Sequence, residues 1–128
     1  PVEGLSDAAI ERSDVMVQII VDGVHVPDEL LVKTLPKIMD RFIITNDAVA
    51  AAGLGDGSFN FGDIHVVAKD GQARSIDGKL AGGIANLGDS INRLITLGIP
   101  QDIAVASATT RPCELIGLKY ESVLSQLQ

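Results

Sequence analysis

In Arg41-Phe42-Ile43-Ile44-Thr45-Asn46-Asp47-Ala48-Val49-Ala50-Ala51-Ala52-Gly53, a short apolar run ends abruptly in a polar turn. Phe42, Ile43 and Ile44 carry side chains that favour a pleated, buried strand. Thr45, Asn46 and Asp47 stop it. The small residues up to Gly53 predict a tight loop rather than a regular helix. A carboxylate at the C-terminal end of a buried strand is where α/β enzymes keep reactive groups. The same position also suits an aspartate that only ties down its own loop backbone.

Working outward, Val15 to Val21 (Val-Met-Val-Gln-Ile-Ile-Val) reads as a second buried strand rich in β-branched residues. It ends in Asp22-Gly23-Val24-His25-Val26-Pro27. Pro27 and Asp28 open a helical stretch with Leu30, Leu31, Leu35 and Ile38 near one face, and Pro36 should bend or end it early. Strand, polar turn, helix, strand, polar turn is the pattern of a parallel pair joined by a crossover. Both polar turns then lie at one sheet edge, so His25 and Asp47 share a mouth.

Between Gly53 and Gly83 the pattern changes. Ser58 to Phe61, Ile64 to Ala68, Ala73 to Ile76 and Lys79 to Ala81 are strand-like, punctuated by Asp56-Gly57, Asp70-Gly71 and Asp77-Gly78. Asp-Gly pairs favour hairpin turns, which predicts a small antiparallel insertion. His65 falls inside one of these strands as an exposed or packed residue, with no second ligand at metal spacing. Ile84, Leu87, Ile91, Leu94 and Ile95 predict an amphipathic helix ended by Gly98. Ile99-Pro100-Gln101-Asp102 opens another, which Thr109-Thr110-Arg111-Pro112 breaks. Glu114 to Leu118 reads as a short helical turn, and Tyr120 to Gln128 as a polar, fraying tail.

The totals set limits. In 128 residues, 46% are hydrophobic but only 3% aromatic, so the core is aliphatic and rich in small residues. Net charge is −7, and the 10 basic residues are scattered singly, which argues against nucleic acid. No apolar run approaches the ~20 residues of a membrane span. Cys113 is the single cysteine and cannot form an internal disulfide, which fits a reducing, cytoplasmic setting. It reads as a small buried side chain near a helix start. No signal peptide is legible at Pro1-Val2-Glu3-Gly4. Phosphate-loop and nucleophile-elbow motifs are missing from the sequence.

Four motifs occur in order: Ile20-Val-Asp-Gly-Val-His-Val26, Ile44 to Gly53, Gly78-Lys-Leu-Ala-Gly-Gly83, and Ala106-Ser-Ala-Thr-Thr-Arg-Pro-Cys-Glu-Leu-Ile-Gly117. Together they resemble the C-terminal part of the N-acetylglucosamine-6-phosphate deacetylase family of the amidohydrolase superfamily. Asn46 and Ala51 depart from the family pattern without removing a reactive group. The resemblance implies an α/β fold, part of a (β/α)8 barrel of the TIM type with a small antiparallel hairpin insertion. Residues 1–118 would be the barrel part and residues 119–128 a divergent or frayed tail.

The resemblance also implies metal-dependent hydrolysis of N-acetylglucosamine 6-phosphate to glucosamine 6-phosphate and acetate. Asp47 matches the catalytic aspartate. His25 matches the histidine expected at the sugar phosphate, with Asp22, Gly23 and Val24 as its loop neighbours. Leu80, Ala81 and Gly82 match a backbone segment lining the sugar site. The cofactor is a divalent metal such as zinc, whose ligands come from an earlier part of the family's barrel, and none is expected in this chain. This chain is therefore expected to be an inactive fragment on its own. A split enzyme completed by a partner chain, a non-catalytic sugar-phosphate-binding or assembly module, and N-acetylgalactosamine 6-phosphate as substrate remain open. Expected partners are the amino-sugar phosphate and a second copy or completing chain, with neither nucleic acid nor membrane.

Overall fold

The structure is a computed structural model that describes residues 4–126. The readings placed on Pro1 to Glu3 and on the last two residues of the tail lie outside the described residues. Helix α1 (Leu5–Glu11) leads into strand β1 (Val17–Ile20), helix α2 (Asp28–Thr34), a 3-10 turn (Leu35–Lys37) and strand β2 (Phe42–Thr45). Strands β3 (Gly57–Phe61), β4 (Ile64–Lys69), β5 (Gln72–Ser75) and β6 (Leu80–Gly82) follow. Helices α3 (Leu87–Thr96), α4 (Gln101–Ala108), α5 (Thr110–Leu115) and α6 (Tyr120–Leu124) complete the described chain.

The architecture is α/β, with two sheets. β1 and β2 pair in parallel, with Val17 opposite Phe42 and Ile20 opposite Thr45. β3 to β6 form an antiparallel sheet in sequence order. A two-stranded parallel sheet is not a barrel, so the described residues form the α/β arrangement but not a closed one. The antiparallel insertion has four strands, at the four strand-like pieces of the sequence, so it is a four-stranded sheet rather than a single hairpin. Its β4–β5 turn is Asp70-Gly71, both with positive φ, the geometry that matches strand twist.

The crossover from β1 to β2 takes shape for local reasons. Asp28 and Glu29 sit in the first turn of α2, where acidic groups favour the exposed amides. Pro36 cannot continue the helix, and the chain tightens into the 3-10 turn there. Leu31, Leu35 and Ile38 are buried with Val21, Phe42, Ile44 and Leu94 in one core. Full burial contributes about 1.5–3 kcal/mol for each such side chain. A second core joins Val49 and Ala51 to Val66, Ala68 and Ala73 of the antiparallel sheet. The segment that follows Asp47 therefore bridges the two sheets.

Several expectations are corrected. Leu30 is half exposed, because the buried face of α2 follows Leu31, Leu35 and Ile38. β1 spans only Val17–Ile20 and is only partly buried, since among the described residues its one strand neighbour is β2. α3 starts at Leu87, not Ile84, because the Asn86 side chain accepts the Asp89 amide and caps it. α5 already begins at Thr110, since Pro112 is tolerated in a first turn, and Cys113 is half-buried. Arg111 is packed rather than free in a loop. It donates to the Phe42 carbonyl at 3.0 Å and lies 5.2 Å from the Phe42 ring centre.

Candidate functional site

The parallel register fixes the site. Ile20 stands opposite Thr45, so the chain leaves both strands at the same edge, and Asp22 and Asp47 both lie two residues beyond that pair. In the first turn, Asp22 folds its own loop. Its Oδ1 accepts the amides of Val24 and His25, each at 2.9 Å. Its Oδ2 lies 2.7 Å from the His25 Nδ1. This is the aspartate turn chemistry that favours local backbone bonds. Burial pushes the Asp22 carboxyl upward, but the His25 and Val24 amides and the His25 ring outweigh it and hold it below the usual range. With Nδ1 engaged by Asp22, Nε2 is the other ring nitrogen of His25. Gly23 has φ +78, a conformation the turn needs and side chains resist.

The second turn is held differently. Asp47 has φ +47, unusual for a non-glycine residue, and its side chain is exposed. Its amide lies 3.4 Å from the Thr45 hydroxyl. The backbone beyond β6 closes on it. The Gly83 amide donates to the Asp47 carbonyl at 2.8 Å, and the Val49 amide donates to the Gly83 carbonyl at 3.1 Å. Ala48 and Gly83 form a parallel bridge. The approach is too close for side chains. A methyl group on Gly83 would fall on the Asn46 carbonyl oxygen. One on Gly82 would stand 2.6 Å from the Val49 Cγ1 and 2.8 Å from the Asp47 carbonyl oxygen.

Of the residues singled out in the sequence, Asp22, Gly23, Val24 and His25 therefore form one ordered loop. Asp47 and Gly82 meet in a second cluster beside it. Ala81 and Leu80 lead away from that cluster, with Leu80 paired to Arg74 on the outer part of the antiparallel sheet. His65 is remote and exposed in β4, with its Nδ1 3.2 Å from Asn60 Oδ1. Sequence reading missed Gly83 as a contact residue, although the Gly82-Gly83 pair was visible as a motif. It also missed Arg93 and Asp28. Arg93 reaches Asp28 with two hydrogen bonds of 2.8 and 2.7 Å across 65 positions, for which no local signal exists.

Among the described residues no three His, Cys, Asp or Glu side chains gather as a metal cage. The side chains present do not fit a metal centre of their own. No helix among them is long and apolar enough to cross a membrane.

Parallel strands that deliver a carboxylate and a carboxylate-held histidine to one C-terminal edge define an α/β protein with a strand-end site. Comparison with known proteins narrows the class. No protein-family model matches the chain. It is 32% identical, over 80% of its length, to N-acetylglucosamine-6-phosphate deacetylase of Caenorhabditis elegans, of which it spans 25%. It is 25% identical, over 98% of its length, to a putative N-acetylgalactosamine-6-phosphate deacetylase of Escherichia coli, of which it spans 74%. A solved structure of N-acetyl-D-glucosamine-6-phosphate deacetylase from Mycobacterium smegmatis covers 90% of this chain with TM-score 0.82 and 30% identity. That structure is of an aspartate-to-alanine mutant in complex with N-acetyl-D-glucosamine-6-phosphate, and this chain covers 32% of it. The chain thus resembles N-acetylglucosamine-6-phosphate deacetylases over most of its own length, consistent with a C-terminal part. It spans a quarter to a third of the nematode and mycobacterial relatives.

Proposed function

We propose that this chain supplies the proton-transferring and phosphate-contacting part of a deacetylase acting on N-acetylglucosamine 6-phosphate. The observation that carries the reading is the parallel register of β1 and β2, which sets the Asp22–His25 loop beside Asp47 at one strand edge. Residues 1–118 are assigned to the C-terminal part of a (β/α)8 barrel and residues 119–128 to a divergent or frayed tail.

In this reading Asp47 is the acid–base group. It takes a proton from the water whose oxygen bonds to the acetyl carbon. It returns a proton to the nitrogen as the C–N bond breaks, which releases glucosamine 6-phosphate and acetate. An exposed carboxylate with a backbone fixed by Gly82 and Gly83 suits such a shuttle, because position matters before pKa does. His25, oriented through Nδ1 by Asp22, offers Nε2 to the phosphate. Leu80, Ala81 and Gly82 line the sugar side.

The described residues offer no cluster of three metal-ligating side chains, and in this reading the ligands of the divalent metal that such a hydrolase uses come from the remainder of the enzyme or from a partner chain. The Escherichia coli relative, three quarters of which this chain spans, favours N-acetylgalactosamine 6-phosphate as a second substrate candidate. The test is acetate release from both epimers by the complete enzyme that contains this chain. Turnover of the glucosamine epimer is expected. Turnover of neither epimer would overturn the reading, and turnover of the galactosamine epimer alone would replace the substrate.

A further inference from the structure

The Asp22–His25 loop binds itself together, but its outer side is held by one side chain from far along the sequence. Arg93 projects from α3 and grips Asp28 in the first turn of α2 through Nε at 2.8 Å and Nη2 at 2.7 Å. The same guanidinium lies against Gly23. A methyl group on Gly23 would collide with its Cζ and with both terminal nitrogens, so the flat face of the group, not its edge, meets the loop. Asp28 fixes the orientation of the guanidinium, and the absence of a side chain at Gly23 lets it close onto the backbone two residues before His25. Asp22 has already committed both oxygens within the loop.

We infer that Arg93 is a positioning residue for His25: the Asp28–Arg93 pair presses on Gly23 and fixes where the Asp22–His25 loop presents its imidazole. Arginine is required for this and lysine does not replace it. A planar fork gives two parallel bonds to a carboxylate and a flat face to stack, whereas an ammonium gives a point charge on a flexible stem. Misplacement of a binding group by about 1 Å can cost on the order of 10²-fold in efficiency. The inference rests on the proposed role of His25 at the substrate phosphate, and its test separates the two.

In the complete enzyme that contains this chain, Arg93→Lys and Asp28→Asn break the contact from opposite sides while keeping similar bulk. Each is expected to raise KM for N-acetylglucosamine 6-phosphate about tenfold with kcat within about twofold, the signature of lost binding rather than lost chemistry. Each should also shift the His25 ring resonances in NMR spectra of the ligand-free protein. A strut that only stabilises the fold would lower Tm and leave KM and the His25 ring signals where they were, and that result overturns the inference. If His25→Asn leaves KM unchanged, the phosphate role of His25 fails. The ring signals in Arg93→Lys and Asp28→Asn then still decide the positioning claim, which unmoved signals refute and moved signals support.

Discussion

At the scale of single residues, Asp22 and Asp47 differ in environment. Asp22 is nearly enclosed and its two oxygens make three hydrogen bonds. Asp47 is exposed. The Asp22 carboxyl is held below its usual range in the fold, so folding favours its charged form. The sign follows: this stabilisation is fully present above the unfolded value of about 3.9 and is lost as pH falls through the lower folded value. Acid titration by NMR should keep the Val24 and His25 amide resonances in place at pH values near 4 and displace them only on further acidification. Asp22→Ala should destabilise the protein by about 1.5–3 kcal/mol in denaturant unfolding, as expected for hydrogen bonds to a charged acceptor. His25→Asn should weaken substrate capture more than the chemical step, seen as a raised KM with nearly constant kcat. These residues were legible in the sequence because each sits in a polar turn after an apolar strand run. The hydrogen bonds that Asp22 accepts from His25 follow from the short reach of an aspartate side chain. The positive φ of Asp47 was not legible, because the backbone that imposes it arrives from Gly83, 36 positions later.

At the scale of elements, the site depends on two joins. One is the parallel pairing of β1 and β2, which the strand–helix–strand pattern predicts because parallel neighbours need a crossover. The other is the seam between the Asn46–Val49 segment and Gly82–Gly83. It was hidden in the sequence, where the glycine pair reads equally well as the approach to a helix. Gly83→Ala tests the seam. Its methyl group would meet the Asn46 carbonyl oxygen, which is backbone and cannot swing away. The substitution should lower the midpoint of chemical unfolding, by about 1–3 kcal/mol in stability as overpacking typically does, and cut activity by moving Asp47. An alanine tolerated with unchanged activity would mean that the seam does not set the position of Asp47. The partial exposure of β1 and Leu30 was also illegible. Their apolar composition predicts burial, and only the arrangement of neighbours reveals which faces remain open.

At the scale of the whole molecule, that open face has a shape. Beside β1 lies a groove of about 630 Å³, lined by Leu5, Ile10, Val17, Ile19, Leu30 and Leu31 among others. His25 stands at it as well. Among the described residues this apolar groove lies open beside a strand with a single neighbour, the kind of edge and face that can pair with further protein. On its own the 128-residue chain should therefore self-associate or bind an apolar-sensing dye, measured by light scattering and fluorescence. A stable monomer without dye binding would indicate a complete small fold. Asp47 is proposed as the proton-transferring group of an amino-sugar phosphate deacetylase. Single-turnover deacetylation of N-acetylglucosamine 6-phosphate by the complete enzyme, wild type against Asp47→Asn, tests it most directly. Loss of the acid–base group should slow acetate release by about 10²–10⁴-fold while substrate affinity changes little. Release from Asp47→Asn at close to the wild-type rate would contradict the claim and leave Asp47 as a carboxylate that only shapes its turn.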